Sequence, residues 1–380
     1  MGACALFLTT LLLRLYSDQE IFLAWSYIAT YVTLFFSFAL LGAEQLIIRY
    51  AEITHQGVIQ ITKSTITFLI LGGITFLFVA ITVINGYLFD YTFHPLSLIP
   101  LLLATMGILI LYQINRLTGM LAIGQLVMNM WRIILCLVIG LAVFFNISVK
   151  IELILTVIMI INLLIGYSIT PQINQLQIKK SYQSEGEIFV AFAISLLIMT
   201  ILGIFDRLIL DHSLNYSGIS FEDYFYLMTL VVFPFNLLGS YIGYVAARHF
   251  REKLTLYHFL TLTLQTIIGT FIAAIIWINL LEYFTTWLDL PSVSKFSWAL
   301  IAILIVIKTA YALLSAATAV KAKAKALFLA NGVTTMILIL IGTFCYYYAT
   351  SIEEVIMAFT LAWLSRYFLY IITLRNQWEA

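Results

Sequence analysis

Long apolar runs separated by short polar breaks repeat along the whole chain, and no stretch shows the two-residue alternation of a half-buried strand. A membrane-spanning helix needs about 20 apolar residues at 1.5 Å rise each. Runs that meet or approach this length fall at roughly 1–14, 21–43, 64–85, 96–115, 120–145, 152–171, 187–205, 223–247, 254–281, 297–320, 327–349 and 355–374. Hydrocarbon offers the backbone no partners, so each run is expected to be a helix. A β-barrel would show short segments of alternating polarity instead. The pattern therefore predicts an all-α polytopic membrane protein with about twelve transmembrane helices. The first run is short, with thirteen residues before Arg14, so either that helix is trimmed or the natural start lies upstream of Met1. Further spans follow it and no small-residue cleavage site ends it, so it reads as a first helix and not as a signal peptide.

Lys and Arg fall mainly on one side of this pattern. With the N-terminus in the cytoplasm, the inner loops hold twelve of the nineteen basic residues: Arg49, Lys63, Arg116, Lys179, Lys180, Arg248, Arg251, Lys253, Lys321, Lys323, Lys325 and Arg375. The outer loops hold four, namely Arg14, Lys150, Arg207 and Lys295. Cytoplasmic loops carry the excess of positive charge, which predicts both termini inside and an even number of spans. Trp25, Trp277, Trp287 and Trp298 fall near the predicted outer interface, where amphipathic rings settle. The longest inner link, Gln172 to Glu187, is polar and leaves six spans on each side. The expected organisation is a six-helix bundle at 1–171, a cytoplasmic linker at 172–186 and a second six-helix bundle at 187–380, around a central cavity. Halves of equal orientation are related by an axis along the membrane normal, a common transporter plan. Internal similarity is faint. The second span of each half ends in Leu-Leu-Gly, at Gly42 and Gly239, with Arg49 and Arg248 a few residues on, a coincidence that does not by itself establish a repeat.

Composition agrees. The chain is 63% hydrophobic and 10% charged, where a soluble domain carries roughly 25% charged residues. A globule of 380 residues in water could not cover that much apolar surface. The net charge of +1 gives no footprint for nucleic acid or for an acidic partner. Cys4, Cys136 and Cys345 lie in apolar runs without metal-ligand spacing or a pairing pattern, so no metal and no cofactor is expected.

Catalytic patterns are absent: no G-x-S-x-G, no G-x-x-x-x-G-K-[ST], no H-E-x-x-H and no Cys/His cluster. The acid pairs Glu222/Asp223 and Glu353/Glu354 begin the outer ends of spans and read as solvated flanks. The informative residues are cations inside spans, because a charge at mid-bilayer costs about 2.5–3.5 kcal/mol even on the lenient insertion scale. Arg132 and Lys308 lie near the centres of spans five and ten, too deep to snorkel, with no acidic residue at comparable depth. Arg366 lies nearer the cytoplasmic end of span twelve, where snorkelling is within reach. Helical spacing places Gln125, Asn129 and Arg132 on one stripe of span five, and Lys308, Tyr311 and Ser315 on one stripe of span ten. Span twelve carries Trp363, Arg366, Tyr367 and Tyr370, and span two an uncharged stripe of Ser26, Thr30, Thr33 and Ser37. Such stripes either glue helices together or line a hydrated, positively charged cavity. Asp206–Arg207, at the outer end of span seven, is either an interfacial ion pair or an ion-coupling site. Pro100 and Pro234 lie inside spans and kink them or act as hinges.

Three stretches carry a resemblance. LLGAEQLIIRYAE (Leu40–Glu52), ILGIFDRLIL with DYFYLMTLVVFPFNLLGSY (within Ile201–Tyr241) and KTAYALLSAATAVKAKAKALFLAN (Lys308–Asn331) resemble polysaccharide flippases of the Wzx type, in the multidrug/oligosaccharidyl-lipid/polysaccharide exporter superfamily. The likeness extends over nearly the whole chain in span count, orientation and two-half layout. It implies a V-shaped pair of six-helix bundles that alternates access to a central cavity in the bacterial inner membrane. The implied substrate is an undecaprenyl-diphosphate-linked oligosaccharide for surface polysaccharide such as O-antigen. An anionic diphosphate needs cations in an apolar membrane, and the expected contacts are Arg132, Lys308 and Arg366, with Gln125, Asn129, Tyr311 and Arg49. A coupling ion, H⁺ or Na⁺, is assigned to Asp206 and Arg207 if transport is coupled. The alternatives are a drug/cation antiporter of the same superfamily, which would want an acidic cavity, and a polysaccharide polymerase, which would want a large outer loop. No outer loop here exceeds about twenty residues, so an enzyme is not expected.

The orientation is directly testable. In a background without the three native cysteines, Lys323→Cys should stay unlabelled by a membrane-impermeant thiol reagent on intact cells while Glu353→Cys reacts. Labelling of both, or the reverse pattern, would overturn the orientation and the parity of spans together.

Overall fold

The computed structural model describes residues 2–54, 58–145, 147, 150–170, 176–180, 185–252, 255–321 and 324–374; the side chains of residues 3, 45, 48, 49, 240, 244, 245, 247–249, 251, 252, 319–321 and 324 lie outside that description. Apolar helices occur at all twelve predicted places. They are α1 (Gly2–Tyr16), α2 (Gln19–Phe38), α4 (Lys63–Val79, continued by a π-helix at Ala80–Leu88), α5 (Pro95–Leu117), α6 (Leu121–Phe144), α7 (Ile151–Ser168), α8 (Glu185–His212), α9 (Phe221–Glu252), α10 (Leu256–Tyr283), α11 (Lys295–Lys321), α12 (Ala324–Tyr348) and α13 (Ile352–Leu374). Eleven are long and apolar enough to cross a membrane, which makes the chain a multi-pass membrane protein; the apolar helix Cys4–Tyr16 is shorter. A short helix, α3 (Glu44–Tyr50), and three strands, β1 (Glu52–Ile53), β2 (Ile59–Thr62) and β3 (Leu176–Lys179), complete the described elements.

The strands are the feature the apolar pattern does not announce. β1 pairs antiparallel with β2, and β2 pairs parallel with β3. Four membrane-long helices, α4 to α7, separate β2 from β3. Pairing across that interval requires an even number of crossings, so the loops after spans two and six share one face, as the charge count expects. Lys179 of β3 reaches Glu52 of β1 at 2.6 Å.

The chain divides into two compact units, residues 1–200 and 201–380, with the division inside α8 and downstream of the polar link. Residues at the start of α8 explain why it falls there. Glu185 is fully buried, and its carboxylate accepts from the Thr62 and Thr65 hydroxyls at 2.7 and 3.1 Å. Thr62 also caps α4 by accepting from the Thr65 backbone N–H. An anion at a helix N-terminus is favoured by the unpaired N–H groups and the dipole. One turn on, Phe189 stacks on Phe68 at 4.7 Å and joins Ala43 and Leu46 in a buried cluster. Gly42 adopts φ +80°, and a Cβ there would sit 3.1 Å from Phe192. Only glycine combines that turn with so close an approach. Gly239, its counterpart in the faint repeat, lies within α9, so the two Leu-Leu-Gly steps are not structurally equivalent.

Elsewhere in the first unit, the Tyr31 hydroxyl lies within hydrogen-bond distance of the Ile84 and Tyr91 carbonyls, at 3.2 and 2.9 Å. The π-helical stretch shifts carbonyls such as that of Ile84 out of the α-helical ladder, and the phenol meets it. On the predicted outer face, Glu152 accepts from Ser97, from the His94 backbone N–H at 2.9 Å and from Tyr91 at 3.1 Å. Burial and the Glu152 charge hold the Tyr91 phenol well above its ordinary range, so it remains a donor.

In the second unit α11 is central, touching α9, α10 and α13. Its small residues allow this: a Cβ on Gly243 of α9 would lie 3.4 Å from the Ala312 carbonyl of α11, a backbone approach that small residues make available to membrane helices. At the predicted outer ends, Glu353 accepts from Ser294 and Ser297 at 2.6 and 2.9 Å, and Glu354 accepts from the Thr350 and Ser351 backbone N–H groups. Glu222 is 6% exposed. The expectation of solvated flanks therefore needs correction for Glu222, which is buried, whereas Glu353 and Glu354 stay partly exposed while accepting these bonds.

Glu185→Ala, which leaves the buried Thr62–Thr65 hydroxyl pair one acceptor short, should lower stability in detergent by about 1–3 kcal/mol. Glu52→Ala, which breaks a half-open ion pair, should cost no more than about 1 kcal/mol. Equal losses on thermal unfolding would remove the buried carboxylate from its proposed place in the folding energetics.

Candidate functional site

In the first unit the stripe on α6 becomes a ladder. The Asn129 amide donates to the Gln125 carbonyl at 2.9 Å and to the Gln125 side chain at 3.1 Å, and Arg132 Nη1 donates to Asn129 Oδ1 at 2.9 Å. Gln125 is exposed, while Asn129 and Arg132 are half-buried. The guanidinium carbon lies 5.2 Å from the centre of the Trp131 ring, a cation–π distance. Arg132 Nε is buried without a hydrogen-bond partner. Helix α1 packs against α6, so tightly that a Cβ on Gly2 would collide with the Asn129 side chain at 2.4 Å.

Arg132 lines a cavity of about 230 Å³ together with Met128 and Trp131 of α6 and Thr33, Phe36 and Ser37 of α2. The uncharged stripe on α2 thus divides in two. Ser26 and Thr30 are buried, whereas Thr33 and Ser37 border the cavity. All four hydroxyls donate to the carbonyl one turn back on their own helix; at Thr33 and Ser37, beside the cavity, this leaves the oxygen lone pairs to meet a further donor.

The second unit holds Lys308, Tyr311 and Arg366 in a different setting. The Lys308 ammonium sits 5.5 Å from the Phe359 ring and 5.2 Å from the Trp363 ring, both on α13. The fields of Asp206 and Arg207 reach it. α8 continues to His212, beyond the predicted end at 205, and so carries Asp206 and Arg207 inside the helix. Asp206 is 4% exposed and accepts from the Tyr224 hydroxyl at 2.8 Å, while its other oxygen is buried without a partner. Arg207 lies 5.0 Å from the Phe225 ring.

Arg366 is 0% exposed. Its Nε donates to the Tyr311 hydroxyl at 2.9 Å and its Nη2 to the Tyr370 hydroxyl at 2.6 Å, with the Tyr370 ring 4.6 Å away. The Tyr370 hydroxyl lies 3.4 Å from Asn331 Oδ1 on α12. The expectation that Arg366 snorkels is therefore corrected, since two phenols hold it inside the unit. Asn331 and Tyr224 join these sites without belonging to any charged stripe. Asn331 is the one amide in the apolar run of α12, a signal that a search confined to charges passes over. Arg49 belongs to α3, and its side chain lies outside the described residues.

Tyr224 and Asp206 should behave as a coupled pair. Tyr224→Phe leaves a buried carboxylate without its donor and should lower stability by about 1.5–3 kcal/mol. Made on top of Asp206→Asn, the same change should cost clearly less, a coupling that a double-mutant cycle on thermal unfolding reads directly. Strict additivity would show that the 2.8 Å contact carries no energy.

No protein family, no curated protein and no solved structure matches this chain.

Proposed function

We propose that this chain is a flippase that moves an undecaprenyl-diphosphate-linked oligosaccharide from the cytoplasmic to the outer leaflet of the bacterial inner membrane, by alternating access. The observation that carries the reading is Arg132: a guanidinium deep in a spanning helix, bordering a cavity, oriented by a neutral amide and with Nε unpartnered. A positive group kept in a membrane at a cost of a few kcal/mol is selected for a ligand that returns that cost. An oxyanion does so through charge-assisted hydrogen bonds to the planar fork. The polyprenyl chain stays in lipid, where it needs no protein site. In this reading Gln125 and Asn129 hold the fork in position. Lys308 adds positive charge in the second unit, and Arg366 is enclosed and does not meet the headgroup in this conformation. Asp206 and Arg207 supply the place for a coupling H⁺ or Na⁺.

One observation favours the drug/cation antiporter as second reading. Asp206 is a buried acid with a free oxygen, the kind of group that cation transport uses. Its surroundings oppose it, because Lys308 and Arg207 both lie within its field.

In cells that display the polysaccharide, Arg132→Ala should stop its appearance at the surface while lipid-linked intermediate accumulates inside. Protein abundance should hold, because the change removes a charge from mid-membrane. Arg132→Lys should restore little, since a point charge does not replace a two-pronged donor. Normal export by Arg132→Ala would sink the reading. Loss of the protein from the membrane would do the same, because Arg132 would then be structural.

A further inference from the structure

The polar cluster around Arg366 in the second unit has a chemical imbalance: it is rich in donors and poor in acceptors. Arg366 contributes five N–H groups, Asn331 two and Trp363 one, on side chains that are 0%, 0% and 6% exposed. The acceptors they meet are the Tyr311 and Tyr370 phenol oxygens, and the Tyr370 hydroxyl in turn donates to Asn331 Oδ1. Arg366 Nη1, Asn331 Nδ2 and Trp363 Nε1 are each buried without an acceptor. The three belong to one neighbourhood. Arg366 and Asn331 are joined through Tyr370, and the Trp363 ring meets the Tyr311 ring at 5.3 Å, one turn before Arg366 on α13.

Charge shows the same imbalance. No carboxylate among the described residues pairs with Arg366, whose contacts are phenols and their rings. Lys308 lies 5.2 Å from the Trp363 ring as a second cation. A water molecule would satisfy N–H groups and leave the guanidinium charge uncompensated. A buried arginine without a counter-charge is costly, and unpartnered N–H groups of Arg366, Asn331 and Trp363 are donors that an anion accepts from.

We propose that the second unit holds a resident monovalent anion of the halide class, bound by Arg366, Asn331 and Trp363. A small spherical anion fits this place better than a phosphate. Arg366 and Asn331 are fully enclosed, and an anion that accepts from several directions suits donors that come from two helices. The inference goes beyond the flippase reading and does not depend on it, since Arg132 and its cavity belong to the other unit.

The test uses the full-length protein in detergent, unfolded thermally in sodium chloride, sodium bromide and sodium gluconate at one ionic strength. Chloride and bromide should raise the melting temperature by a few degrees and saturate, as a ligand of the native state does. Arg366→Gln, which removes the charge to be balanced, should abolish the difference between salts. Asn331→Asp places a carboxylate beside the guanidinium and should melt in gluconate as the native protein melts in chloride, with no further response to halide. A second measurement covers variants that fail to fold. Iodide should quench tryptophan fluorescence of the native protein with a saturable component, which Trp363→Phe removes. Identical melting in all three salts, an undiminished halide response in Asn331→Asp, or quenching that is purely linear in iodide would each overturn the proposal.

Discussion

Hydrocarbon supplies no hydrogen-bond partners, so each polar group that enters the membrane must find its partner on the chain itself. The constraint acts first on the backbone, turning apolar runs into helices. It acts next on the hydroxyls. Ser26, Thr30, Thr33 and Ser37 each return their proton to a carbonyl one turn back, so a stripe that looks polar in sequence is largely self-satisfied in the helix. What remains are groups with more donors or more charge than one helix can absorb. Arg132, Lys308, Arg366 and Asp206 are those groups, and around them the two units solve the same problem differently.

In the first unit the guanidinium is steadied by a neutral amide and left beside a cavity. In the second, ammonium and guanidinium are packed among aromatic rings and phenols. Rings soften the cost of burying a cation without cancelling it. Aromatic enclosure suits a permanent charge. An open cavity suits one whose partner comes and goes.

The spans are legible in sequence because they follow from a local quantity, run length, and the shared face of the loops after spans two and six agrees with the placement of Lys and Arg. The strands are not legible, since LQIK at Leu176–Lys179 and IQIT at Ile59–Thr62 are four residues each and gain meaning only when four intervening helices bring them together. Helix ends are equally elusive. Polarity at Asp206–Arg207 imitates the end of a span, yet α8 continues because Tyr224, on the next helix, supplies the carboxylate with a donor. The same logic reversed the reading of Arg366. Depth along the helix suggested snorkelling, whereas Tyr311 and Tyr370 decide its direction from 55 and 4 residues away. The stripe Gln125–Asn129–Arg132 was legible because all its members lie on one helix, at the spacing that helix geometry sets.

The choice of partner for Arg132 says what kind of ligand its position can serve. A carboxylate would have oriented the guanidinium more strongly than Asn129 does, through charge-assisted bonds. It would also have neutralised the charge and competed with any arriving anion for the same N–H groups. An amide oxygen fixes the fork at 2.9 Å while leaving the net charge intact and Nε unengaged. Asn129 is in turn fixed by two contacts to Gln125 and by the backbone of α1 pressed on it at Gly2. Orientation is thereby separated from neutralisation. Within the proposed function this separation is what a transport site requires: the cation is held ready in the absence of substrate, and the largest part of its desolvation cost is relieved only when an oxyanion arrives.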